Sequence, residues 1–123
     1  MNRTPDSPQP LAVRISSAPE QLAGLTPLLE AAHSAVGDVP ALLELAKAAA
    51  EAAPLPGGGR TAFLWEILAS VTAVDVAAGR AIEPHLDAAA ILAQAAGQPA
   101  LDGRDRPDLD RVRSDGAWGV FAA

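Results

Sequence analysis

Along residues 60 to 97 apolar side chains return at helical spacing, and few charges interrupt them. Phe63, Leu64, Ile67, Leu68, Val71 and Val74 form a wide stripe, the pattern of a helix pressed into a core on more than one side. Val76, Ile82, Leu86, Ala89, Ala90, Ala93 and Ala96 carry that face onward, and Ile91 and Leu92 spill onto its neighbours. Asp75 stands where an N-cap would, ahead of Val76-Ala77-Ala78, so a break is predicted there. Pro84 removes an amide donor inside the last helix and predicts a kink or a fresh start. Gly97 and Pro99 close the stretch.

The earlier half repeats the helical pattern in shorter pieces. Ser17-Ala18-Pro19-Glu20 has the spacing of a capping box, opening a helix that carries Leu22 and Leu25. Pro27 forces a restart at Thr26, and Leu28, Leu29, Ala32 and Val36 make the next apolar face, ended by Gly37. Asp38 is the predicted cap of a further helix, whose stripe is Val39, Leu42, Leu43, Ala46, Ala49, Ala50 and Ala53. Pro54-Leu55-Pro56-Gly57-Gly58-Gly59 cannot continue a helix and reads as a loop, with Thr61 as the predicted cap of the helix after it. The predicted fold is all-α: an up-down bundle of four to five helices with a short strand-like segment at its C-terminal end. Its expected organisation is a flexible tail over residues 1–16, a helical domain over 17–97, a charged linker over 98–115 and the start of a further domain over 116–123.

Composition narrows the functional classes. The formal net charge of −6, without any cluster of Lys and Arg, argues against a nucleic-acid or anionic-membrane surface. No run reaches the roughly 18 to 20 apolar residues of a membrane span. With no signal-peptide pattern at Met1-Asn2-Arg3, a cytoplasmic location is the default expectation. Cysteine is absent, so thiolate and disulfide chemistry do not arise. Half of the 123 residues are hydrophobic, yet alanine dominates them and buries little area. Such a thin core suggests helices covered by a partner chain or by self-association.

Candidate chemistry is sparse. Gly57-Gly58-Gly59-Arg60-Thr61 could offer amides to a phosphate, but the Walker spacing and its lysine are missing, and a flexible loop is the preferred reading. Glu83, Pro84 and His85, with Asp87, gather polar groups around a proline. Glu83 and Asp87 share a helical face, whereas His85 would point elsewhere in an unbroken helix. No metal set is expected there, because the only other histidine, His33, lies in a distant helix. A polar site at a kink, lining a cavity, is one expectation; plain surface polarity is the other. Nothing positions His85 against a nucleophile, so no catalytic residue is assigned. Trp65 and Trp118 are expected in the core or at an interface.

A run of motifs carries a family resemblance. Leu55-Pro56-Gly57-Gly58-Gly59-Arg60-Thr61 is followed by Leu64-Trp65-Glu66, Ala73-Val74-Asp75 and Arg80-Ala81-Ile82-Glu83-Pro84-His85-Leu86-Asp87. With Ala90-Ile91-Leu92 and Trp118-Gly119-Val120-Phe121-Ala122-Ala123, this order resembles the N-terminal helical domain of acyl-CoA dehydrogenase-like flavoproteins, entering the first strand of their middle β-domain. The resemblance covers roughly residues 19 to 123. It implies a FAD-dependent oxidoreductase acting on an acyl-CoA-type substrate. In that family the α-proton goes to a glutamate of the C-terminal part and the β-hydride to the flavin. On this reading Glu83, Pro84 and His85 border the acyl pocket, and Phe121, Ala122 and Ala123 approach the flavin. The base and most of the flavin site belong to regions outside these residues. The chain is therefore expected to be inactive alone and to bind no FAD by itself, being a truncated form or one part of a split enzyme. The alternative expectation is a small helical interaction module without catalytic activity.

Overall fold

The computed structural model describes residues 11–97 and 116–120. Five helices follow one another: α1 (Pro19–Ala23), α2 (Thr26–Ser34), α3 (Val39–Ala52), α4 (Thr61–Val74) and α5 (Val76–Gly97). The protein is an all-α bundle in which four helices pack in a ring. α5 lies against α3 and α4, and α2 lies against the same two from the other side. Among the described residues there is no strand, and no helix is long and apolar enough to cross a membrane.

The core is built from one or two residues per helical turn. Leu28, Leu29 and Ala32 come from α2; Leu42, Leu45, Ala46 and Ala49 from α3; Ile67 and Val71 from α4; Ala78 and Ile82 from α5. Each leucine or isoleucine buried this way contributes roughly 1.5–3 kcal/mol, whereas the alanines contribute mainly by letting helices approach. On α3 the true stripe is centred on Leu42, Leu45, Ala46 and Ala49. The predicted members Val39 and Leu43 fall outside it and are exposed. Val36 and Val76 are also exposed, beside the turns at Gly37 and Asp75 where no helix covers them. Ala96 is exposed near the end of α5. Leu45 and Ala35, absent from the predicted stripes, are buried instead.

Two carboxylates cap helices as their positions predict. Asp38 Oδ1 accepts from the Ala41 amide at 3.1 Å, and Gly37, at φ +77°, supplies the left-handed turn that leads into it. Asp75 Oδ2 accepts from the Ala78 amide at 2.9 Å. Its extended backbone, ψ 126°, separates α4 from α5. Asp75→Ala removes that acceptor and should cost about 1 kcal/mol. Thermal melting followed by circular dichroism should register a Tm lower by about 4–8 °C; an unchanged Tm contradicts the capping role.

Two other predicted caps are replaced. Arg60, not Thr61, occupies the N-cap position of α4, and no side chain caps that end. The Arg60 guanidinium instead sits over the Phe63 ring, 4.7 Å from its centroid. At α1 the N-cap is Ala18, whose amide donates to Gln21 Oε1 at 3.3 Å. The Ser17 hydroxyl is engaged elsewhere. Pro84 does not divide α5, which runs unbroken from Val76 to Gly97.

Candidate functional site

The turn of α5 that holds Glu83, Pro84 and His85 presents two different faces. Glu83 and Asp87, one turn apart, border a groove between the end of α3, the loop over residues 54–56, α4 and α5. Its remaining lining is apolar and includes Leu55, Leu64, Leu68 and Leu86. Glu83 also faces Arg80 at 3.5 Å, both side chains largely exposed. A pair of this kind is worth little in water. Pro84 is half-buried within the helix. His85 is turned into the protein and is only 5% exposed. The three predicted site residues therefore do not converge: Glu83 looks into the groove and His85 away from it.

His85 has a partner far along the chain. The Trp118 amide donates to His85 Nδ1 at 2.9 Å. Residues 116–120, predicted as strand-like, pair with no strand among the described residues. They pack on the bundle instead, with Ala117 against the core. Burial first, and the nearby Lys47 charge second, hold the imidazole below its ordinary pKa. A neutral ring whose Nδ1 accepts must carry its proton on Nε2. Trp118 is 41% exposed and Trp65 57%, so neither belongs to the core. The predicted flavin-approaching residues Phe121, Ala122 and Ala123 lie outside the described residues.

A second polar centre sits on α4. Glu66 and Ser70 are both fully buried on the face beside Ile67 and Val71. Glu66 Oε1 accepts the amides of Ile15 (2.6 Å), Ser16 (2.8 Å) and Ser17 (2.9 Å). Glu66 Oε2 accepts the Ser17 hydroxyl. Ser70 Oγ accepts the Val13 amide at 2.8 Å. Residues 11–16, expected within a flexible tail, are thus fastened along α4 by their backbone. Burial raises the Glu66 pKa, but the Ser17 hydroxyl and the three amides outweigh it, and the carboxyl is lowered to about 2. The signal was present in the sequence: an acid and a serine at i and i+4 inside an otherwise apolar stripe require buried donors. Which donors answer that need is a matter of tertiary structure.

The groove is lined mostly by carbon with two carboxylates at its edge, and at about 50 Å³ it admits only a small apolar group. Among the described residues no three potential metal ligands come together. No protein-family model matches the chain, and neither a curated protein nor a solved structure matches it.

Proposed function

We propose that these helices form the acyl-side wall of an acyl-CoA dehydrogenase-like, FAD-dependent oxidoreductase and do not dehydrogenate anything on their own. The observation that carries the reading is a juxtaposition on one turn of α5. Glu83 borders a small apolar groove of about 50 Å³, which on this reading a neighbouring domain extends into an acyl site. Two residues on, His85 holds the main chain of Trp118, and in the resembling family the corresponding segment leads into the flavin-bearing β-domain. Substrate groove and domain junction would then share a support.

The described residues do not suit FAD itself. A flavin pyrophosphate needs cations or free helix-end amides, whereas the polar groups bordering the groove are the carboxylates of Glu83 and Asp87. The flavin, the base and the hydride transfer belong on this reading to the β- and C-terminal domains. The purified chain should be colourless and should reduce no electron-accepting dye with acyl-CoA; robust activity from the chain alone overturns the expectation that these helices do not act by themselves. Reading the coding DNA beyond Ala123 and in neighbouring genes tests the family. Flavin-domain sequence is expected there, and its co-production should yield a yellow protein that reduces dye. The absence of any such sequence, together with no acyl-CoA binding by the chain, overturns the reading.

A second reading is a helical interaction module that binds itself or a partner, with Trp65, 57% exposed on α4, as the apolar side chain it would use. Molecular size across a dilution series separates the two. Reversible self-association without flavin partners supports the module, and a monomer at every concentration counts against self-association.

A further inference from the structure

We propose that protonation of His85 releases residues 116–120 from the bundle, so that this segment is a pH-operated latch. The inference is independent of the flavoprotein reading. Its basis is a single hydrogen bond of defined polarity. The Trp118 amide can only donate, and it meets His85 Nδ1 at 2.9 Å. A neutral imidazole accepts at that atom. An imidazolium carries a proton there and presents a donor to a donor. The ring is 5% exposed, so water is poorly placed to replace the lost partner or to solvate the charge.

The surroundings act in the same direction. From α3 the charge nearest the ring is Lys47, whose ammonium donates to both Glu44 oxygens at 3.2 Å. On α4 the only ionisable side chain is Glu66, and residues 15–17 occupy it. Residues 116–120 carry no ionisable side chain. On α5 itself, Glu83 and Asp87 face the groove, and Arg80 is drawn to Glu83. No carboxylate among these is directed at His85 to welcome a proton. Burial and Lys47 both hold the ring neutral. Undocking frees Nδ1 from the Trp118 amide, so the undocked ring binds a proton more readily than the docked one, while Lys47, which stays beside it on α3, opposes the proton in both states. Docking is therefore complete above the ordinary imidazole range and weakens as pH falls below it.

The segment itself suits such a role. Trp118 is 41% exposed and Val120 40%, so docking covers part of each side chain and release changes the surroundings of the indole. Fluorescence of the full chain carrying Trp65→Phe reports Trp118 alone, because the sequence holds two tryptophans. Between about pH 7.5 and about pH 5 Trp118 emission should shift to the red. Over the same range its backbone amide should exchange at least about tenfold faster, after correction for intrinsic exchange. Helical circular dichroism should stay constant. His85→Asn offers a carbonyl acceptor that does not titrate, so it should abolish the pH response. Lys47→Met removes the opposing charge and should move the midpoint of release to higher pH. Three results overturn the latch: no change at Trp118 down to about pH 5, the same transition in His85→Asn, or an unmoved midpoint in Lys47→Met. A Trp118 transition that coincides with loss of helix also overturns it, since global unfolding then replaces release.

Discussion

Glu66→Ala is expected to be the most damaging single substitution in the chain. It leaves the amides of Ile15, Ser16 and Ser17 and the Ser17 hydroxyl without their acceptor at a fully buried site. Unmet buried donors cost the full desolvation of each group, and here four lose a charged acceptor together. The apparent Tm should fall by more than about 10 °C, and amide exchange should rise sharply over residues 13–17. Glu66→Gln should be milder. Its carbonyl can take the place of Oε1 and keep three of the four donors, although without the charge.

Acid separates the two variants. The carboxyl is lowered to about 2 in the folded chain, from an ordinary value of 4.5. Protons therefore bind the unfolded state more readily across that interval. The stabilisation from ionised Glu66 is complete above about pH 4.5 and is lost progressively as pH falls toward about 2. Denaturant melts should show the advantage of wild type over Glu66→Gln shrinking through this window. An advantage that stays constant to about pH 2 shows that the charge is not what the amides recognise.

Gly79→Ala should come second. Gly79 is buried where α5 crosses α4. A methyl group there would lie 2.1 Å from Thr72 Oγ1, 3.0 Å from Thr72 Cβ and 3.2 Å from Thr72 Cα. The hydroxyl can rotate away; the backbone atom cannot without moving α4. Alanine gains about 1 kcal/mol of helix propensity over glycine, and overpacking costs typically 1–3 kcal/mol and occasionally more. The short reach across Asp75 leaves the two helices little freedom to separate, so the overpacking should win. We expect a net loss of roughly 2 kcal/mol and a Tm about 10 °C lower. Adding Thr72→Ala removes the closest atom but keeps Cβ, so it should recover part of the loss, with a coupling of about 0.5–3 kcal/mol. A Gly79→Ala protein as stable as wild type means that the helices tolerate a wider crossing.

Local chemistry made much of this architecture legible beforehand. Asp38 and Asp75 cap where their place ahead of apolar runs indicates, and Thr26-Pro27 starts α2. Faces were less legible than elements. Leu42 and Leu43 are equally apolar, and only the partners of α3 decide that Leu42 is covered while Leu43 is not. Ser17 has the composition of a cap, but Glu66 is a charged acceptor and takes its hydroxyl. At the candidate site, sequence alone indicated that Glu83 and His85 would part company on an unbroken helix. It gave no hint that His85 would meet the main chain of Trp118, thirty-three residues away.

Caps, prolines and helical periodicity act within a few residues of one another, so the helices, most of their boundaries and the all-α class follow from local chemistry. What the buried polar groups are for follows only from how the helices pack. Glu66, Ser70 and His85 each accept hydrogen bonds that their own helix does not supply. Apart from the Ser17 hydroxyl, the donors are backbone amides, which every residue but proline carries, so the sequence holds no mark that singles out Val13, Ile15, Ser16 or Trp118. Packing chose them by bringing both flanking segments back onto α4 and α5.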